Sequence, residues 1–455
     1  MSHQSKAVTK LLPIRVGALF MEMGTGKTRT AIQFIHDRIH KISNVIYFCP
    51  VSLKDTVYNE FVKHTDIIPY QFDTKTSESN LPNALVYIVG IESMASSNRM
   101  LFAVMKLMNE TSFVIVDEST YIKGHDSKRT MRITKLSEIA KYRLILTGTP
   151  LSQGVVDLYS QMKFLSPKIL GFRSFYSFAA NHLEYSEKFK NKIVRAHNVD
   201  QIAAKIQPYI YQVQKSECID LPSKIYQSYC FSMTYEQQYH YEIVKERFFE
   251  LIDRDWIDSY AVFQVFTDLQ RIVSGYAKVN HEIIKLENNR CNTLMEIITQ
   301  IPLDKKIVIW CKYHKDIQEI TQAIESEYGN CISHFNGKLS EKERKIELQK
   351  FRESNRFFVS TQQSGGHGLN LTESHNVIFY SNTFKYADRI QSEDRCHRIG
   401  QTNKVLYNDI ICRDSIDVRI ATILSNKENV ADRFKSEIEK VKNKKAKKKL
   451  IKMFT

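Results

Sequence analysis

Two parts of this chain alternate short, nearly uniform apolar runs with segments of helical period, and the part between them does not. The amino-terminal runs are Val45–Cys49, Leu85–Val89, Phe113–Val116 and Arg143–Thr147. Each is β-branched or aromatic and stops at a polar or Gly/Pro turn, which predicts buried parallel strands. The stretches Lys27–Ile39 and Leu53–His64 between them read as helices. This is a doubly wound α/β pattern, with chemistry expected at the carboxyl ends of the strands. From Lys285 the alternation resumes, with strands predicted over Ile307–Cys311, Cys331–Phe335, Arg356–Ser360, Val377–Tyr380 and Val405–Ile411. Between Pro167 and Ile284 aromatic and charged residues rise and the period turns helical, as in Tyr235–Ile252 and Ser259–Ile272. The reading is an α/β lobe over 1–166, a mainly helical insertion over 167–284, a second α/β lobe over 285–437, and a tail over 438–455. Between Lys440 and Lys452 that tail holds eight lysines and little apolar material.

Composition sharpens this picture. Hydrophobic content of 43% and charged content of 25% belong to a folded protein of ordinary kind. No run of 18 apolar residues occurs, so no membrane partner is expected. The first 30 residues lack the apolar centre and cleavage site of a signal peptide. The formal charge of +15 favours a polyanion such as nucleic acid, through counterion release; a solubilising surface is the other reading. Eight cysteines stand singly, with no C-x-x-C pair, which argues against a zinc ribbon and for reduced thiols. An intracellular, soluble protein is expected, of a bacterial or virus-infected cytoplasm or of a eukaryotic nucleus.

Three constellations carry candidate chemistry. Gly24-Thr25-Gly26-Lys27-Thr28 follows the apolar run Ala18-Leu19-Phe20 and opens a helix. Glycines let backbone amides turn toward phosphate oxygens, and a helix amino terminus adds partial positive charge. Lys27 would reach the β- and γ-phosphates and Thr28 would ligand Mg²⁺. The full phosphate-loop pattern asks for glycine where this chain has Met21. Next, Phe113-Val114-Ile115-Val116 ends in Asp117 and Glu118. Alone, such a pair is more often a solvated turn; after a phosphate loop, Asp117 is expected to hold Mg²⁺ and Glu118 to polarise the attacking water. Finally, Arg395 and Arg398 stand three residues apart, a spacing that puts both on one face of a helix. Such a pair facing ATP stabilises charge on the γ-phosphate, an effect of roughly 10³–10⁵ in rate where it is known. In isolation a solvated basic helix is the commoner reading.

Together these residues resemble the Swi/Snf-type DNA-translocating ATPases of helicase superfamily two. The resemblance runs in order along nearly the whole chain. Gly24–Thr28 is similar to motif I, Cys49-Pro50-Val51-Ser52-Leu53 to motif Ia, and Val89-Gly90-Ile91-Glu92-Ser93 to motif Ib. Asp117-Glu118-Ser119-Thr120 stands at the Asp-Glu box, followed by Ile122-Lys123 and Ser127-Lys128-Arg129. Leu144 to Leu151 resembles motif III, with Phe164-Leu165-Ser166-Pro167 after it. His334-Phe335-Asn336-Gly337 and Phe351 resemble the motif IV region. Ser360-Thr361 with Gly365 to Thr372 resembles motif V. Gln391 to Gln401, with its Asp-Arg-x-His-Arg-Ile-Gly-Gln, is the most specific match. Thr120 departs from the histidine that often ends the Asp-Glu box.

The resemblance implies two RecA-like doubly wound lobes, ATP and Mg²⁺ as cofactors, and double-stranded DNA as the track. It places Lys27, Asp117, Glu118, Gln391, Arg395 and Arg398 in catalysis. It adds Gly368 and, at the distance of an adenine-reading glutamine, Gln4 to Gly24–Thr28 in nucleotide binding. Candidate nucleic-acid contacts are Ser52, Lys123, Lys128, Arg129, Thr149, Thr361 and Gln363. Protein partners would use the insertion or the lysine-rich tail. A strand-separating helicase on DNA or RNA, and a clamp that no longer hydrolyses, are the competing readings; no β-hairpin wedge is legible, which favours translocation.

Overall fold

Strands and the helices between them make up the first of two units, Met1–Asp220 and Leu221–Thr455. The computed structural model describes residues 1–148, 150, 154–185, 193–218, 220–253, 259–279, 282–337, 339–365 and 369–426. In the first unit, among these residues, the strands are β1 (Val16–Met21), β2 (Val45–Cys49), β3 (Tyr70–Gln71), β4 (Val86–Gly90), β5 (Phe113–Val116), β6 (Tyr142–Thr147), β7 (Leu183–Tyr185), β8 (Ile193–Ala196) and β9 (Ile210–Val213). Seven of them form one sheet in the order β3, β4, β2, β5, β6, β1, β9, every neighbour parallel. β7 and β8 form a separate antiparallel pair.

The apolar runs are continuous because both faces of the sheet are covered. Along β2, Val45, Tyr47 and Cys49 join the core of Leu19, Ile115 and Leu146, to which the helix Lys27–Arg38 adds Ile32, Phe34 and Ile35. Ile46 and Phe48 point the other way, into the core of Ala18, Val114 and Ile145 that the helix Val156–Leu165 covers.

The second unit repeats the scheme with β10 (Lys224–Phe231), the antiparallel hairpin β11 (Tyr276–Val279) and β12 (Glu282–Lys285), β13 (Ile307–Cys311), β14 (Ile332–Phe335), β15 (Phe357–Thr361), β16 (Asn376–Phe379) and β17 (Val405–Cys412). Its sheet runs β10, β17, β16, β13, β15, β14, again wholly parallel. Gly365 lies where a Cβ would come within 2.2 Å of the buried Trp310 ring, so the turn after β15 presses directly on the core.

The expected α/β class with two parallel-sheet lobes is what the chain forms. The predicted strands fall within a residue or so of their places, and the predicted helices stand at Tyr235–Asp253 and Ser259–Val273. The stretch 167–284 differs from its expected description in one respect. It is divided between the units and gives each sheet an edge strand, β9 to the first and β10 to the second. Neither carries a solid apolar run, because an edge strand is covered less completely: Tyr226 on β10 is 55% exposed. Helices of the same stretch supply Phe248, Val265, Phe266 and Leu269 to the core around Ile307 and Ile309. The lysine-rich tail lies outside the described residues. No described helix is long and apolar enough to cross a membrane.

Candidate nucleotide-binding site

β1 ends at Met21 and the next helix begins at Lys27, so five residues make the connecting loop. Gly24 and Gly26 have φ of 81° and 85°, a left-handed conformation that a side chain adopts only under strain. At Gly26 the space is also taken, since a Cβ would stand 2.1 Å from Gln4 Nε2. Thr25 donates to the Glu22 carbonyl through Oγ1 at 2.7 Å and through its N–H at 3.3 Å. Lys27 Nζ donates to the Met21 carbonyl at 3.0 Å, which holds the ammonium against the loop. β9 braces the same turn: the Glu22 N–H donates to the Val213 carbonyl, and the Lys215 N–H donates to Glu22 Oε2 at 2.7 Å.

The amino-terminal helix Ser2–Leu11 lies on this loop. Gln4 Nε2 donates to the Thr25 and Gly26 carbonyls at 3.4 Å each, which puts Gln4 beside the glycine loop. Its neighbour His3 is buried, with Nε2 2.8 Å from the Thr25 carbonyl. His3 has no signature in the sequence, because a histidine in a short amphipathic helix belongs to no motif.

Asp117 leaves β5 at the carboxyl edge of the sheet and is 5% exposed. Its Oδ1 accepts from the Glu118 N–H at 2.9 Å, and its Oδ2 accepts from the Tyr47 hydroxyl at 3.0 Å. Burial, and then the neighbouring Glu118 charge, push the Asp117 carboxyl up to about 6, while Lys27 and the Tyr47 bond pull the other way. Burial and the Asp117 charge raise the Tyr47 phenol well above its ordinary value, and the Thr28 side chain opposes them. Lys27, Thr28, Tyr47 and Asp117 therefore meet at one end of the sheet. Glu118 has φ of 49°, so the chain leaves strand geometry there and the adjacent acids escape strict alternation. A hydroxyl and a carboxylate are hard oxygen donors, and a cation offsets the burial that raises Asp117; this set suits Mg²⁺.

Behind the acids, the buried Ser119 Oγ donates to Gln161 Oε1 at 2.6 Å. Gln161 Nε2 in turn donates to the carbonyls of Pro150 at 3.1 Å and Asp157 at 2.9 Å. The segment after the acids is thus tied to the segment after β6 by a glutamine. Of the expected nucleic-acid contacts in this unit, Ser52 and Lys128 are exposed. Lys123 Nζ lies 3.7 Å from Asp157 Oδ1. Arg129 donates to the Tyr121 carbonyl and stacks on that ring, 5.1 Å from its centroid. Thr149 lies outside the described residues.

In the second unit the helix Tyr386–Cys396 ends before Arg398, which corrects the expectation of one helical face for both arginines. They converge nonetheless: Arg395 Nη1 at 3.3 Å and Arg398 Nη1 at 3.1 Å both donate to the Leu369 carbonyl. The Gln391 carbonyl accepts from Arg395 Nε at 3.1 Å. A buried ion network fixes this helix. Arg389 binds Asp409 and Glu393, and Glu393 also accepts from Lys224 Nζ and the Tyr226 hydroxyl at 2.8 Å each. Burial opposes the charge on Glu393, but Arg389 and Lys224 outweigh it and hold the carboxyl below its ordinary range. No motif announced these partners. Thr361 is buried, its Oγ1 donating to Ser364 Oγ at 2.8 Å, whereas Gln363 is exposed. Gly368 lies outside the described residues.

The SNF2-related domain family matches residues 5–320, and the helicase conserved C-terminal domain matches residues 289–400. An uncharacterised ATP-dependent helicase of Mycoplasma genitalium is 25% identical over 91% of this chain and 40% of its own length. A putative ATP-dependent helicase/translocase of Bacillus subtilis is 25% identical over 70% of this chain and 35% of its own. The solved SWI2/SNF2 ATPase core of Sulfolobus solfataricus in complex with dsDNA aligns with 96% of this chain and 93% of that chain, at 25% identity and a TM-score of 0.43. The chain spans 40% or less of the length of these two curated relatives.

Proposed function

The chain belongs to the SNF2-related domain family, and from that premise we propose that it hydrolyses ATP and uses the cycle to move along double-stranded DNA. The observation that carries the reading is the meeting of Lys27, Thr28 and Asp117 at the end of one sheet, beside a loop whose two glycines are left-handed. Lys27 neutralises the β- and γ-phosphates, and the loop amides cradle them. Mg²⁺, held by Thr28 and Asp117, supplies further charge neutralisation when bound. Glu118 orients the attacking water. Arg395 and Arg398, from the second unit, stabilise charge on the γ-phosphate. Hydrolysis removes the γ-phosphate and the contacts made to it, and that change advances the grip on DNA. The grip uses phosphates through residues such as Ser52 and Lys128, so it is independent of sequence.

The test is ATP hydrolysis by the purified protein alone and with duplex DNA, single-stranded DNA or RNA, beside Lys27→Ala. Strong stimulation by duplex DNA, abolished by Lys27→Ala, is expected. Stimulation by single strands or RNA instead would make it a strand-separating enzyme. Nucleotide binding without hydrolysis under all conditions would make it a clamp.

A further inference from the structure

We infer that Tyr47 is the positioning residue for the magnesium-binding carboxylate, fixing the Asp117 side chain in one orientation before the metal arrives. The inference rests on the nucleotide site proposed above and adds to it a residue that belongs to no motif. Each Asp117 oxygen has its own donor from a different direction: the Glu118 N–H holds Oδ1 at 2.9 Å and the Tyr47 hydroxyl holds Oδ2 at 3.0 Å. Two donors on two oxygens lock both side-chain torsions and still leave lone pairs for a cation.

The sheet explains why a tyrosine does this. β2 and β5 are parallel neighbours with Tyr47 opposite Ile115, and the Asp117 N–H donates to the Phe48 carbonyl at 2.8 Å. Residues 115 and 117 share a face, so Asp117 lies two strand residues, roughly 6–7 Å, beyond the partner of Tyr47. A phenol spans that distance; a valine or isoleucine does not. The ring is itself fixed, fully buried and edge-on to Phe61 with centroids 6.2 Å apart. A phenol buried among Val45, Ile115 and Phe61 needs a polar partner, and Asp117 supplies one. Tyr47 thus holds the carboxylate expected at the metal without being a ligand, the role of an outer partner that orients a ligating carboxylate.

The experiment compares the full chain with Tyr47→Phe, which keeps the ring and removes only the hydroxyl. Fluorescent ADP binding is titrated against Mg²⁺ and repeated in EDTA, with Lys27→Ala as control. The Mg²⁺-induced rise in Tm is read for each protein against its own Mg²⁺-free value. The expected result is a Mg²⁺ half-saturation raised about 10-fold in Tyr47→Phe, with ADP affinity in EDTA unchanged and a smaller Mg²⁺-induced Tm rise. An unchanged Mg²⁺ curve would overturn the role of Tyr47 while leaving the nucleotide site standing. An equal loss of affinity with and without Mg²⁺ would make Tyr47 a packing residue only. If the wild type binds no ADP under any condition, the nucleotide site itself fails and Tyr47 with it.

Discussion

Gly26 shows how little freedom a functional residue has here. It needs a left-handed φ, and a Cβ there would also displace the end of the Gln4 side chain. Gly26→Ala is expected to lose nucleotide binding and about 1–3 kcal/mol of stability, read by ADP titration and urea unfolding. Titratable residues away from the site are equally constrained. Burial lowers the Lys312 ammonium from 10.5 to about 7, its Nζ donating to Gln270 Oε1 and lying 3.7 Å from the centre of the Phe384 ring. Asp316 and Asp417 oppose the shift, and Arg271 adds to it. Above pH 7 the folded lysine is neutral while the unfolded one still holds its proton. The unfolded state then binds more protons, so this group's contribution to stability rises with pH, by at most about 1.4 kcal/mol per unit. Urea midpoints at pH 7 and 8.5 are expected to rise more in the wild type than in Lys312→Met; identical slopes would remove Lys312 as the cause.

At the scale of elements, the helix Tyr386–Cys396 presents its arginines only because β10 and β17 hold it. Arg389 is 7% exposed and pairs with both Asp409 and Glu393, so Arg389→Met takes the guanidinium from Asp409 and leaves Glu393 with Lys224 alone. A loss of about 3–5 kcal/mol in urea unfolding is expected, with ATPase activity falling as the helix loosens. The glutamine link from Ser119 to Pro150 ties the segment after the acids to the segment after β6. Gln161→Met keeps the volume and removes the bridge. The expected outcome is ADP affinity within about 2-fold and DNA-stimulated hydrolysis reduced about 10-fold, since an interaction that acts in the coupled step lowers rate without lowering ground-state binding. Equal loss of both would assign Gln161 to folding of the loop.

Over the whole molecule, the proposed grip on DNA phosphates, together with a formal charge of +15, predicts a salt-dependent affinity for duplex DNA. Binding is expected to weaken steeply and equally for unrelated sequences between 50 and 200 mM salt, by roughly 10³-fold or more if about six phosphates are neutralised. Fluorescence anisotropy on two unrelated duplexes would read both points. At this scale the sequence determined the class of fold. Runs such as Val45–Cys49 and Ile307–Cys311 are apolar at every position because both faces of a parallel sheet are buried, and that requirement is written locally. It also marked the glycine loop, the acids after β5 and the arginine segment as candidates, because glycine pairs, paired carboxylates and close arginines are local patterns. Other features exist only once distant strands lie side by side. Tyr47 reaches Asp117 across 70 residues of chain, and Lys224 reaches Glu393 across 169. Single apolar-looking tyrosines and surface-like lysines give no sign of such partners. β9 and β10 stayed hidden for a related reason: at the edge of a sheet a strand needs a hydrogen-bonding neighbour more than an apolar face, and the neighbour is supplied by the fold.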